Sequence, residues 1–413
     1  MRRVREGELR ERLRSVPGME RLLPALDGLA PAYLVGGAVR DLLRGAAAVD
    51  LDVAVEGDAR AVARALADRL RGVAREHERF GTATVRADGL TVDLATTRRE
   101  TYPEPGALPD VEEAELDEDL ARRDFTINAM ALGLSGDDLG HLYDPRSGVP
   151  DLEEGIVRVL HDGSFVDDPT RLLRALRYEA RLGFRMAPDT EGLAGDAAAE
   201  GGLRAVSGAR VRDELMDLLA EPELPSAVVR MRELGIDRAM HTAMEADAEL
   251  VASAALGAVA LGADRALVAL AALCAPAAER LDLWVGDLHL PAWERDAVTR
   301  AARVAPRLAR QLREREHIPS ELRRLLGRET LVALSLALAM GAPSEPILRW
   351  VSELQLVQLD ISGADLLAHG VPEGPAIGRA LEETLSRKLD GVVRSREEEL
   401  ETALMLARET GHE

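Results

Sequence analysis

Strand-like runs are confined to one stretch of this 413-residue chain, from residue 31 to about 135, where they alternate with helical spacing. From about residue 165 the period-two signal disappears. Helical periodicity then runs on, punctuated by Pro188, Gly201-Gly202, Pro222, Pro225, Pro291, Pro306 and Pro343. A sheet closed within so short a span, followed by helices only, predicts an α/β head on an extended all-α remainder. The expected strands are 33–35, 49–55, 82–85 and 90–95, and the expected helices are 38–43, 59–70 and 125–132. Residues 1–30 read as amphipathic helix with breaks near Pro17 and Pro24. Residues 104–118, rich in proline and acids, read as an exposed mobile loop. No tandem repeat is visible.

No apolar run is long enough to span a bilayer, and the Arg- and Glu-rich start does not resemble a signal peptide. The single cysteine, Cys274, excludes an intramolecular disulfide and a cysteine-cluster zinc site, and its apolar run, 266–275, predicts a buried thiol. These features fit a cytoplasmic, soluble enzyme with no membrane partner. Fifty-two basic residues against 73 acidic give a net charge of −21, so a nucleic-acid partner has to be met by local basic patches. Lys388 is the only lysine, and aromatics make up 3%, so base stacking is not the chain's main grip.

Chemistry concentrates in four places. Asp50 and Asp52 stand two apart on an expected strand, so both carboxylates face one side, which favours a hard cation between them. Just upstream, Gly36-Gly37 provides a bare turn that can approach a phosphate, with Arg40 and Asp41 close by. Further on, Arg122-Arg123-Asp124 with Asn128 can meet a triphosphate and a ribose hydroxyl; a charged helix start would look the same. Finally, Asp168-Pro169-Thr170-Arg171 reads as a helix start with Pro169 at the first helical position, placing Asp168 and Arg171 on one side. A carboxylate accepts from an amino group while a guanidinium donates to ring nitrogens and carbonyls, so this pair can take C and A and reject U and G. An intrahelical salt bridge is the plainer alternative.

In order, Gly36-Gly37-x-Val39-Arg40-Asp41 with Asp50-x-Asp52, Arg122-Arg123-Asp124-x-x-x-Asn128-Ala129, Asp144-Pro145-x-x-Gly148 and Asp168-Pro169-x-Arg171-x-x-Arg174-x-x-Arg177 closely resemble the bacterial class II tRNA nucleotidyltransferase and poly(A) polymerase family. The motif-bearing part covers roughly residues 31–185. The resemblance implies a polymerase-β-like nucleotidyltransferase head over residues 1–150 and a helical neck carrying the base-selecting helix over 151–220. A helical body over 221–310 and a tRNA-binding tail over 311–413 follow. The implied activity is template-independent addition of C and/or A to the tRNA 3′ end from CTP and ATP, with release of pyrophosphate. An A-adding-only enzyme, a CC-adding-only enzyme, a poly(A) polymerase and a non-catalytic RNA-binding protein of the same fold are the alternatives.

Carried over residue by residue, Asp50 and Asp52 are the catalytic pair and hold Mg2+. Gly36, Gly37, Arg40 and Asp41 contact the triphosphate. Arg123, Asp124 and Asn128 lie near the ribose, and Asp168 and Arg171, with Arg174 and Arg177 after them, meet the incoming nucleotide. Asp167 departs from the family, which usually has Glu there. Residues 101–119 and 165–171 look more like A-adding members.

Other residues carry competing readings. Asp93 is either a third acid near the metals or a strand-end acid, and Arg98-Arg99 read as the start of a solvated loop. His161-Asp162 has the letters of a metal phosphohydrolase dipeptide but sits in a Gly-flanked connector without further ligands. Arg300, Arg303, Arg307 and Arg310 fall at helical spacing, either as a tRNA-backbone stripe interrupted by Pro306 or as a solvated face.

Overall fold

The computed structural model describes residues 6–46, 50–77 and 81–409. The chain divides into two compact units. One runs through Glu223 and takes in Arg230–Thr242; the other comprises Leu224–Val229 and Ala243–Glu413.

The first unit is built on a mixed sheet. Its strands are β1 (Ala32–Val35), β2 (Asp52–Val55), β3 (Val73–His77), β4 (Thr82–Ala87), β5 (Leu90–Thr96), β8 (Ala131–Gly133) and β9 (Leu142–Tyr143), in the order β3-β4-β5-β2-β1-β8-β9. A separate hairpin pairs β6 (Arg98–Thr101) with β7 (Asp110–Glu113). Burial in β5 alternates, with Leu90, Val92 and Leu94 inside and Thr91 and Asp93 outside, as a half-covered strand requires. β2 lies antiparallel to β1 and parallel to β5, so that Asp52 pairs in register with Asp93. Val53, Ala54 and Val55 are buried, which leaves the strand's leading residue, Asp52, at the sheet's edge facing solvent.

Helices α1 (Glu6–Ser15), α2 (Met19–Leu26), α3 (Gly37–Arg44) and α4 (Ala59–Leu70) accompany the first strands. The α4 start is fixed by Asp58, whose carboxylate accepts from the Arg60 and Ala61 amides. After the hairpin come α5 (Leu116–Ala121), α6 (Gly148–Glu154), α7 (Ser164–Asp167), α8 (Arg171–Leu182), α9 (Pro188–Glu200) and α10 (Gly208–Ala220).

Several expectations are corrected here. Residues 125–132 are not a helix: a short 3-10 turn, Thr126–Asn128, leads into β8, which pairs with β1. A strand buried on both faces shows no alternation, so its apolar run imitates a buried helix. Residues 104–118 are not one exposed loop, since they contain β7, the start of α5 and a buried Gly106. Arg98 and Arg99 belong to β6, where Arg99 pairs with Glu112 across the hairpin. Two of the β7 acids that suggested a loop, Glu112 and Glu113, stand opposite Arg99 and Arg98 in register. Pro24 does not break the chain but lies inside α2, whose Met19, Leu22, Ala25 and Leu26 are buried. Of the expected strand 49–55, Val49 lies outside the described residues and β2 begins at Asp52. One two-residue strand beyond position 165, Arg185–Met186, pairs with Ile156–Val157 and is too short to show a period.

The second unit is helical throughout its described residues. The helices Ala248–Leu261 and Leu331–Ala339 pack closely because Gly257 has no side chain; a Cβ there would meet the Ser335 carbonyl at 2.7 Å. Cys274 is buried and its thiol is pushed up to about 12 by loss of solvent. Pro306 does not interrupt its helix, which runs from Ala292 to Glu314. Arg300 and Arg303 are paired with Glu329 and Asp282, so half of the expected basic stripe is neutralised and only Arg307 and Arg310 stand exposed without such a pairing. No helix among the described residues is long and apolar enough to cross a membrane.

Candidate active site

β1 delivers the chain to Gly36, whose φ of +69° favours glycine. A Cβ there would stand 3.2 Å from Arg123 Nη1, and one on Gly37 would stand 3.3 Å from Arg40 Nη2. The bare turn thus lets two guanidiniums reach the N-terminal end of α3. Arg40 is only 3% exposed. It donates to both Asp41 carboxylate oxygens at 2.9 and 3.0 Å and to Asn128 Oδ1 at 2.8 Å. In this arrangement Arg40 and Asp41 brace the turn from beneath.

Asp50 and Asp52 both line the cleft beside this turn. The Asp52 carboxyl is held above its ordinary value, first by desolvation against the cleft floor, then by the charge of Asp93, with Asp50 adding and Arg123 opposing. Asp93 is anchored by Thr84 Oγ1, which donates to it at 2.5 Å. Among the described residues, no group of three or more His, Cys, Asp and Glu side chains is gathered tightly enough to hold a metal ion by itself. A carboxylate pair that leaves coordination positions for substrate oxygens matches the way Mg2+ binds nucleoside triphosphates. A second depression of about 430 Å³, lined by His77, Thr82, Thr84 and Asp93, shares Asp52, Arg122 and Arg123 with the first.

Behind the turn lies a buried ionic network. Asp124 Oδ1 accepts from the Phe125 amide at 2.8 Å and Asn128 Nδ2 at 3.0 Å, while Oδ2 accepts from Arg174 Nε and Nη2 at 2.9 and 2.6 Å. Burial alone would raise this carboxyl, but Arg174 and these donors outweigh it and hold it at about 2. Glu214 ties Arg174 and Arg177 together at 2.7 and 3.1 Å. The guanidiniums of Arg40, Arg174 and Arg177 lie 5.4, 5.9 and 5.6 Å from the centre of the Tyr178 ring. An aromatic face among three like charges offsets part of their repulsion. Asp119 likewise gathers Arg122 and Arg123 at 2.7 and 2.8 Å.

The Asp144-Pro145-x-x-Gly148 motif has a structural role. Asp144 accepts from the Gly148 and Val149 amides at 2.6 and 2.9 Å, starting α6. A Cβ on Gly148 would meet the Thr126 carbonyl at 2.3 Å, so this glycine lets α6 press against the turn that carries Asn128.

The Asp168–Arg171 segment differs from its expected form. Helix α8 begins at Arg171, not at Pro169, and Asp168 stands before it in extended conformation. The Arg171 amide donates to the Asp168 carbonyl at 3.0 Å, but the two side chains are not bonded to each other. Asp168 Oδ1 accepts from the Thr170 amide and hydroxyl at 3.0 and 2.6 Å. Arg171 donates to Ser164 Oγ at 2.6 Å and to the Arg122 carbonyl at 2.8 Å. His161 contributes no metal site; its nearest acid is Asp167, at 3.8 Å, and burial lowers its pKa.

One cleft of about 450 Å³ collects Gly36, Gly37, Arg40, Asp41, Asp50, Asp52, Arg123, Asp124, Asn128, Asp168, Arg171, Arg174 and Arg177. Arg122, the first of the two arginines expected to meet a triphosphate, lines it as well, and so do Glu100, Tyr102, Tyr178, Arg181 and Glu214, which were not assigned from sequence. Tyr178 directly follows the last motif, at helical spacing from Arg174. Glu100 and Glu214 have no sequence signal, because only folding brings them to these arginines.

A mixed sheet presenting paired aspartates beside a glycine turn and an arginine-rich cleft defines a nucleotidyltransferase head. The poly A polymerase head domain family matches residues 32–158. An A-adding tRNA nucleotidyltransferase of Geobacter sulfurreducens is 35% identical over 398 residues, covering 91% of this chain and 45% of that protein. A CC-adding tRNA nucleotidyltransferase of Deinococcus radiodurans is 36% identical over 374 residues, covering 89% of this chain and 87% of that one. The matched part of the A-adding relatives, at 45%, 49% and 23%, is about half their length or less. The solved structure of a Thermotoga maritima CCA-adding enzyme complexed with tRNA superposes with a TM-score of 0.79 at 31% identity, over 97% of this chain and 98% of that one. The chain belongs to the tRNA nucleotidyltransferase family.

Proposed function

We propose that this chain adds C, A or both to the 3′ end of tRNA from CTP and ATP, without a nucleic-acid template. In this reaction the tRNA 3′ hydroxyl attacks the α-phosphorus and pyrophosphate leaves. The carrying observation is the convergence on one cleft of the Gly36-Gly37 turn, the Asp50 and Asp52 pair, Arg122-Arg123-Asp124 with Asn128, and the Asp168–Arg177 segment. Asp50 and Asp52 would hold Mg2+, which when bound supplies activation of the hydroxyl and neutralisation of the leaving group. The Gly36-Gly37 turn, braced by Arg40 and Asp41, receives the phosphates, with Arg123 and Arg177 supplying positive charge. Asp124 and Asn128 keep Arg174 and Arg40 fixed, so that the cradle is organised before substrate arrives. Asp168 and Arg171 read the base edge, each anchored by other groups and each keeping polar atoms in reserve.

The net charge of −21 makes local arginine clusters the means of meeting tRNA. The relatives include both A-adding and CC-adding enzymes, so the nucleotide added is decided by assay. Radioactive CTP or ATP supplied with tRNAs ending before, within and after CC should label at least one acceptor in Mg2+ and none after chelation. No labelling of any acceptor with either nucleotide overturns the proposal.

A further inference from the structure

Arg210, on α10, holds two groups from distant parts of the chain at once. Its Nη2 lies 2.8 Å from Asp168 Oδ1, and its Nη1 donates to the Gly106 carbonyl at 2.8 Å. Gly106 is itself seated: its amide donates to the Val166 and Asp167 carbonyls, both at 3.3 Å. Its φ is +71°, and a Cβ would meet Val206 Cγ2 at 3.2 Å. One guanidinium therefore joins the turn around residue 106 to the carboxylate at the entrance to α8.

The consequence for Asp168 is directional. Oδ1 takes the Thr170 amide, the Thr170 hydroxyl and Arg210, while Oδ2 takes none of the donors among the described residues. Asp168 lines the cleft, and a carboxylate held through one oxygen keeps the other able to accept from an exocyclic amine there. Arg171, three residues along, is the competing cation. Without Arg210, the charge of Asp168 is left to Thr170 and can swing onto Arg171, closing both recognition edges against each other.

We propose that Arg210 is a positioning residue for nucleotide selection, fixing the base-reading carboxylate and tying its orientation to the Gly106 turn. This rests on the reading of Asp168 as a base-selecting group given above. Arg210 does not touch the nucleotide.

The test measures kcat/KM for all four nucleoside triphosphates in the wild type, Arg210→Met and Asp168→Ala, with inhibition by inorganic tripolyphosphate as a probe of the phosphate cradle. In Arg210→Met, the ratio of the preferred nucleotide to the others should fall about tenfold, the loss expected for one charge-assisted contact, with tripolyphosphate inhibition unchanged. The double variant should lose no more selectivity than Asp168→Ala alone. An equal loss for every nucleotide, with the ratio intact, marks a merely structural residue and overturns the proposal. An intact ratio in Asp168→Ala instead removes the base-reading premise, which separates the two failures. Should Arg210→Met not fold, Arg210→Lys keeps the charge without the two-pronged geometry and carries the same test.

Discussion

Replacing Asp124 by asparagine keeps its shape and removes its charge, which makes it a clean probe of the buried network behind the cleft. The carboxylate accepts four hydrogen bonds, two of them from Arg174. An amide can retain the Phe125 and Asn128 contacts through its oxygen, but it then turns an NH2 toward a guanidinium. Stranding one partner of a buried ion pair costs about 3–5 kcal/mol. The Arg174 side chain is 29% exposed and keeps Glu214, so the lower end, about 3 kcal/mol, is expected.

The pH dependence gives the sharper check. A fall in the carboxyl pKa from 3.8 to about 2 corresponds to about 2 kcal/mol of native-state stability. Because the folded value is depressed, this contribution is complete above the unfolded pKa and is lost as pH falls through 3.8 toward 2. By about pH 3 roughly 1 kcal/mol of it should have gone, and the gap between wild type and Asp124→Asn should shrink by that amount. All four tyrosines, at 33, 102, 143 and 178, lie in the first unit, whereas Trp284, Trp293 and Trp350 lie in the second. Urea unfolding followed by tyrosine absorbance therefore reports on the right unit. A gap that stays constant from neutral pH down to about 3 would refute the assignment of Asp124 as an ionised partner of Arg174.

Asp50→Ala or Asp52→Ala should abolish nucleotide incorporation while leaving the free energy of unfolding within about 0.5 kcal/mol of wild type, because both side chains line the cleft surface and not the core; full activity in either removes the metal assignment. Substituting Asp168 or Arg171 should relax discrimination of C and A from U and G in single-nucleotide assays, and an unchanged preference in both would sink the base-reading role. Gly148→Ala should cost about 1–3 kcal/mol in urea unfolding, since a Cβ meets the Thr126 backbone oxygen at 2.3 Å. Wild-type stability there would show that α6 can shift freely.

The sequence determined the division between head and helical remainder, because a period of two and a period of 3.6 leave different marks on an apolar pattern. It also supplied most of the charged residues that line the cleft, through motifs a few residues long. Tertiary structure decided the rest. Residues 125–132 became a turn and a strand because burial on both faces erased the alternation that would have revealed β8. The side chains of Asp168 and Arg171, three positions apart, are held by separate partners: Arg210 and Thr170 for one, Ser164 and the Arg122 carbonyl for the other. Local sequence specifies which groups can bond within a helical turn. Which of those bonds form is settled by partners 40 to 50 positions away, such as Arg210 for Asp168 and Arg174 for Asp124, because in a low-dielectric interior each charge goes to the partner that the packing of the whole unit places within reach.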